Sequence, residues 1–110
     1  MIREQRLVDH AVSPYKKALR LHPNDASALS GLGRCYELKN ENLDIALAFC
    51  QQSVEIKPEE GRFHMRLGRL LKKTGQYQRA LETFQKAQAL GENARQSILD
   101  IEERCLNKAS

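Results

Sequence analysis

Apolar residues recur along this chain with the spacing of an α-helix. Leu29, Leu32 and Tyr36 follow one another at steps of three and four residues, and Phe63 and Leu67 begin the same pattern again. This spacing places apolar side chains on one face of a helix. No segment alternates apolar and polar residues as a half-buried strand does. The pattern therefore predicts an all-α protein.

Local signals mark the ends of six helices. Asn24 and Asp25, which follow Pro23, are typical of a helix start. Gly75 is typical of a helix end, and Asn40 of a turn between helices. The predicted helices span residues 4–21, 26–39, 43–57, 60–73, 77–90 and 95–107. Because the connections between them are short, we expect consecutive helices to pack antiparallel.

The chain also repeats itself with a period of 34 to 35 residues. Gly33 recurs as Gly68, and Ala46 recurs as Ala80. Such a period is typical of arrays in which each helical unit buries its apolar face against its neighbours. Glycine inside a helix costs about 1 kcal/mol relative to alanine. We therefore expect Gly33 and Gly68 to allow the next helix to approach closely, at Ala46 and Ala80 respectively.

These residues resemble the tetratricopeptide repeat, a helix pair of about 34 residues with the pattern W-x2-L-G-x2-Y…A-x3-F…P. In the first copy the corresponding residues are Leu29, Leu32, Gly33, Tyr36, Ala46, Cys50 and Pro58. In the second copy they are His64, Leu67, Gly68, Leu71, Ala80, Phe84 and Glu92. The resemblance implies a right-handed α-solenoid of antiparallel helix pairs.

The resemblance also implies a single domain, residues 1–110, that ends in a capping helix. A half repeat covers residues 8–25, full repeats cover 26–60 and 61–94, and the capping helix covers 95–108. Glu102 of the capping helix stands where the full repeats carry glycine. A polar residue there suits a terminal helix on which no further helix packs.

The half repeat lacks the helix that would cover its apolar stripe. This stripe consists of Val8, Ala11, Val12 and Tyr15. An uncovered apolar surface tends to mark an interaction site. Residues 1–7, a second copy of the chain, or a further repeat of a longer array would each cover it. Self-association through this stripe, giving a homodimer, is therefore the alternative function.

The predicted helix 60–73 carries a stripe of cations. Arg62, Arg66, Arg69 and Lys73 share one helix face, and no acidic residue interrupts it. In the resembled family the first helix of each unit lines a concave groove, and guanidinium groups bind carboxylates in pairs of hydrogen bonds. We therefore expect a non-catalytic adaptor that holds a protein or peptide segment, with acidic side chains or a C-terminal carboxylate favoured. The predicted groove residues are Ser30, Arg34, Leu38, Arg62, Met65, Arg66, Arg69 and Lys73.

Two observations weigh against tight binding of an acidic ligand by this stripe. Asp100 and Glu103 are placed to neutralise the stripe in exposed ion pairs, each worth about 0–1 kcal/mol. In addition, family members that grip the acidic tails of heat-shock chaperones use a clamp of Lys, Asn and Arg. Arg62 and Arg66 match two clamp positions in type, but Gly31 stands where the clamp needs Asn. We do not expect a complete clamp of that kind.

Composition and motifs exclude several other functions. The net charge of +4 is too small to argue by itself for nucleic acid, and the few aromatic residues occupy apparent core positions, so RNA binding is the weakest alternative. No phosphate-binding loop or catalytic motif is present, so we expect no enzyme and no cofactor. Cys35, Cys50 and Cys105 fall at apolar helix positions without metal-binding spacing, which predicts reduced thiols, no metal and a cytoplasmic location.

Overall fold

The computed structural model describes the backbone of residues 2–109 and the side chains of residues 12–105. Within this range it contains only helices and no strand. The helices are α1 (Ile2–Leu21), α2 (Ala26–Lys39), α3 (Leu43–Ile56), α4 (Gly61–Lys73), α5 (Tyr77–Ala89) and α6 (Arg95–Ala109). The predicted all-α fold is confirmed, and every helix end lies within two residues of its predicted position.

The helices form two compact units, Met1–Lys57 and Pro58–Ser110. In the first unit α2 packs against both α1 and α3. In the second unit α5 packs against both α4 and α6. Each unit therefore has a central helix that buries its apolar face against two neighbours.

The turns between helices follow the chemistry expected from the sequence. The side chain of Asp25 caps α2, because its Oδ1 accepts a hydrogen bond of 3.1 Å from the backbone N–H of Ala28. Asn40 ends α2 in the left-handed conformation, with φ of 56°. Gly75 has φ of 83° after α4, and the N–H of Gln76 then donates to the carbonyl oxygen of Leu71 at 2.8 Å. These turns fold each helix back on the one before it.

The repeated glycines, Gly33 and Gly68, allow close packing, and the atoms nearest to them belong mainly to side chains other than the predicted alanines. A β-carbon at Gly33 would lie 2.6 Å from Sγ of Cys50 and 3.1 Å from the carbonyl oxygen of Ala46. A β-carbon at Gly68 would lie 2.7 Å from the ring of Phe84, and its nearest neighbours are ring atoms rather than Ala80. The expected crossing is thus confirmed at Ala46, whereas at Gly68 it is the residue four positions after Ala80 that needs the space.

Two buried polar side chains, Ser53 and His64, are hydrogen-bonded to the backbone. His64 is 5% exposed, and its Nε2 lies 2.8 Å from the carbonyl oxygen of Pro58, to which it donates. Ser53 is fully buried and donates from Oγ to the carbonyl oxygen of Cys50 at 2.7 Å. His64 therefore fixes the start of α4, and Ser53 is satisfied within α3.

Two further findings concern the described residues as a whole. None of their helices combines the length and the apolar character that crossing a membrane requires. In the same part of the chain, no group of three or more His, Cys, Asp or Glu side chains is arranged to hold a metal ion.

Candidate functional site

The second unit carries an open depression bounded by the end of α4, the start of α5 and one face of α6. Its volume is about 360 Å³. The lining residues are Arg69, Lys72, Lys73, Tyr77, Phe84, Ser97 and Arg104. We call it the basic depression, because four of these seven residues are cationic.

Hydrogen bonding and ring contact fix one side of the basic depression. Nη1 of Arg104 donates to the hydroxyl oxygen of Tyr77 at 3.3 Å. The guanidinium carbon of Arg104 also lies 5.7 Å from the centroid of the Tyr77 ring, within the range of a cation–π contact. Because the long side chain of Arg104 is held in place in this way, less conformational freedom is lost when it binds a ligand.

One carboxylate compensates part of the positive charge. Nζ of Lys72 lies 3.6 Å from Oδ2 of Asp100, and both side chains are partly exposed. The sequence predicted that acidic residues of the last helix neutralise cations of α4, and this is confirmed for Lys72. Among the described side chains, neither Arg69 nor Arg104 forms an ion pair. A cluster of cations around one concavity creates a positive potential that attracts anionic groups.

The predicted stripe on α4 is divided between two environments. Arg69 and Lys73 line the basic depression. Arg62 instead forms an exposed ion pair with Glu60, in which Nε lies 3.3 Å from Oε1. Arg66, which is half-buried, is not a lining residue of the depression. The structure therefore brings together the C-terminal half of the stripe, with Lys72 added.

Two of the predicted groove residues lie in the core. Ser30 is completely buried, and Met65 is only 8% exposed. Neither side chain is available at the surface, because a small hydroxyl and a thioether both fit between packed helices. Arg34 and Leu38 are exposed on α2, with 58% of Leu38 accessible. Ser30 and Met65 therefore do not form part of the exposed surface of the site.

Sequence reasoning missed the part of the site that α5 and α6 supply. Tyr77, Ser97 and Arg104 were not predicted, although all three line the depression. Ser97 and Arg104 are seven residues apart, which places them on the same face of α6. That spacing was the available signal. The sequence instead predicted α6 only as a capping helix.

The predicted self-association stripe is partly covered within the chain. The ring of Tyr15 lies against Gly31 of α2, where Cε1 and Cε2 are 2.5 and 2.9 Å from the position of a β-carbon. Val12 is half-buried. Val8 and Ala11 lie outside the described side chains. Tyr15 thus packs on α2, and its ring occupies the space that a side chain at position 31 would need.

Comparisons with known proteins match the chain to one family. Family models described as tetratricopeptide repeat match residues 37–99 and 15–48. The small glutamine-rich tetratricopeptide repeat-containing protein 2 of Mycosarcoma maydis is 33% identical over 76 residues, 69% of this chain and 21% of that protein. The Hsp70-Hsp90 organizing protein 3 of Arabidopsis thaliana is 31% identical over 103 residues, 91% of this chain and 18% of that protein. The chain therefore spans about a fifth of the length of these two relatives.

Solved structures share the fold. The first TPR of Spaghetti (RPAP3), bound to the HSP90 peptide SRMEEVD, has a TM-score of 0.86 and 16% identity, covering 94% of this chain and 83% of that one. The crystal structure of MamA has a TM-score of 0.69 and 26% identity, covering 81% of this chain and 52% of that one. The arrangement of helices is thus common to proteins whose sequences have diverged widely.

Proposed function

Because this chain belongs to the tetratricopeptide repeat family, we propose that it is a non-catalytic protein-interaction module whose basic depression binds an acidic peptide segment. The observation that carries this proposal is the charge of the depression. Four cationic side chains line it, and Asp100 is ion-paired with one of them, Lys72. A segment that brings two carboxylates would complement Arg69 and Arg104, neither of which forms an ion pair with another described side chain.

The lining residues offer complementary kinds of contact to such a segment. The guanidinium groups of Arg69 and Arg104 suit carboxylates, which they bind through two parallel hydrogen bonds. Lys72 and Lys73 act as compact charges, and the hydroxyl of Ser97 is a further donor. A ligand carboxylate near Lys72 would compete with Asp100, 3.6 Å away. Binding therefore includes the loss of one weak, partly exposed ion pair.

The relatives support an acidic ligand class without identifying the partner. The name of the Arabidopsis relative refers to Hsp70 and Hsp90, and the Spaghetti structure holds an acidic HSP90 peptide. The chain differs from the family's clamp at Gly31, beside which the ring of Tyr15 occupies the space of a side chain. We therefore propose that the second unit binds carboxylates through the basic depression rather than through the family's clamp. The peptide SRMEEVD serves as a probe.

The buried thiols support a reducing, cytoplasmic location as part of this proposal. Cys35 and Cys50 are buried, and no disulfide bond joins any of the three cysteines, all of which lie in the described part of the chain. Cysteines that form no disulfide are typical of compartments where thiols stay reduced.

The proposal is tested by fluorescence anisotropy with labelled peptides at low salt. SRMEEVD should bind saturably, and the amidated analogue SRMQQVN, which has no carboxylate, should bind at least about tenfold more weakly. Reversing two lining charges in Arg69→Glu/Arg104→Glu should lower the affinity for SRMEEVD at least about tenfold. The matched control is Arg79→Glu/Lys86→Glu, which makes the same charge change at exposed positions of α5.

The outcomes of this experiment are distinct. A larger effect of the lining pair than of the control pair supports the basic depression as the site. Equal loss in both variants would show that only net charge matters, and equal binding of SRMQQVN would show that carboxylates are not recognised. Either result overturns the proposal. Circular dichroism of both variants checks that they retain their helical fold.

A further inference from the structure

The first unit has a depression of its own, formed by α1, α2 and α3. Its volume is about 540 Å³, within the size range of small-ligand and side-chain pockets. The lining residues are Ser13, Lys16, Leu19, Arg20, Leu32, Tyr36 and Phe49. We call it the apolar depression, because four of the seven side chains are aliphatic or aromatic.

Aromatic and aliphatic side chains form its inner surface. Tyr36 and Phe49 stack with ring centroids 6.3 Å apart and an angle of 21° between the planes. Both are half-buried, as is Leu19, whereas Leu32 is only 2% exposed. Ile45 lies one turn before Phe49 on α3 and is 48% exposed, which extends the apolar surface. A single large apolar side chain would cover these groups and remove them from water.

Cations stand at the rim of the apolar depression. Lys16 and Arg20 are one turn apart on α1, and both are exposed. No acidic residue occurs between Asp9 and Asp25 in the sequence. Among the described side chains, neither Lys16 nor Arg20 forms an ion pair. The rim therefore has two charges, about one helical turn apart, that carboxylates on a docked segment would complement.

We propose that the apolar depression is a second docking surface, for a peptide segment in which a leucine or phenylalanine is flanked by acidic residues. The apolar side chain packs on Tyr36 and Phe49, and the flanking carboxylates meet Lys16 and Arg20. This arrangement, with an apolar anchor inside and charges at the rim, is the usual anatomy of a binding hot spot. The proposal uses only residues of the first unit and is independent of the basic depression.

The test uses three labelled hexapeptides with blocked ends: EELFEE, KKLFKK and EESSEE. Because EELFEE is itself acidic, binding is measured in the Arg69→Glu/Arg104→Glu variant, in which the basic depression is disabled. EELFEE should bind saturably, and the other two peptides should bind at least about tenfold more weakly. Adding Lys16→Glu/Arg20→Glu should lower the affinity for EELFEE by a similar factor. The matched control adds Lys17→Glu/Lys57→Glu, which changes two exposed first-unit lysines that do not line the depression.

Nuclear magnetic resonance then locates the bound peptide. EELFEE should shift the side-chain resonances of Leu19, Tyr36 and Phe49. The proposal is overturned if the shifts appear elsewhere, if the rim and control variants bind equally, or if EELFEE does not bind. It is also overturned if these resonances shift with protein concentration alone, because the occupant would then be a second copy of the chain. Loss of binding to SRMEEVD leaves this result unchanged, so the two proposals fail separately.

Discussion

The ring of Phe84 occupies the space that a β-carbon at position 68 would need. Three of its ring atoms lie 2.7 to 3.0 Å from that position, and Phe84 is completely buried. Cys50 has the same relationship to Gly33, at 2.6 Å. In both units the glycine of one helix and the side chain that lies against it from the next, Cys50 or Phe84, are therefore a single packing feature, repeated with the period of the sequence.

Gly68→Ala should destabilise the protein by about 1–3 kcal/mol, the usual cost of overpacking a closed core. The gain of up to about 1 kcal/mol in helix propensity does not offset this, because a shift of the completely buried Phe84 ring would disturb its packing. Urea unfolding followed by circular dichroism measures the change. In Gly68→Ala/Phe84→Leu the two effects should be less than additive, because the smaller side chain relieves the clash. An alanine variant as stable as the parent would contradict this packing.

Gly31→Ala should have a different effect, although the Tyr15 ring is equally close. Tyr15 is half-buried, so the far end of its ring is able to swing away from a new methyl group. We expect a stability change below about 1 kcal/mol, because the helix propensity gained by alanine offsets part of the lost contact. The contact between Tyr15 and position 31 should then disappear from nuclear Overhauser spectra. Destabilisation as large as that of Gly68→Ala would show that Tyr15 is held rigidly.

Asp25→Ala should destabilise the first unit by about 0.5–2 kcal/mol, as expected for loss of a helix N-cap. The physical reason is that the N–H of Ala28 would lose its 3.1 Å hydrogen bond to Oδ1. Asp25→Ser serves as the control, because a serine hydroxyl also accepts this hydrogen bond and should retain most of the stability. Thermal unfolding of the two variants compares them. Equal loss in both would assign the effect to charge rather than to capping.

Asp100→Asn should strengthen binding of SRMEEVD by about two- to fivefold, because Lys72 loses a competing partner worth at most about 1 kcal/mol. The free energy of unfolding should change by less than that amount. Glu103→Gln is the matched control, since Glu103 is exposed on the same helix and does not pair with Lys72 among the described contacts. If both variants strengthen binding equally, the effect is one of net charge alone.

The helices could be predicted from the sequence because their signals are local. Apolar spacing fixes the helical face, and Asp25, Asn40 and Gly75 fix the turns, so the predicted ends agree to within two residues. The glycine repeat also pointed correctly to close helix crossings. Spacing alone could not predict which residue lies nearest to Gly68. That depends on the size and direction of the side chains, and the nearest atoms belong to Phe84 rather than to Ala80.

The candidate site could be predicted only in part because it is assembled from three helices. Arg69 and Lys73 were visible as a stripe on one helix, whereas Arg104 joins them only through the packing of α6. The burial of Ser30 was missed for a related reason. A small polar residue carries no signal of its environment, and its place in the core follows from its neighbours.

The central claim, that the basic depression binds carboxylates, is tested most directly by mapping a titration with SRMEEVD on the resonances of the isotopically labelled protein. We predict saturable shifts at the side chains of Arg69, Ser97 and Arg104, which weaken as salt screens the charges. The same titration with SRMQQVN should leave these resonances in place. Shifts confined to other residues, or equal shifts with both peptides, would contradict the claim.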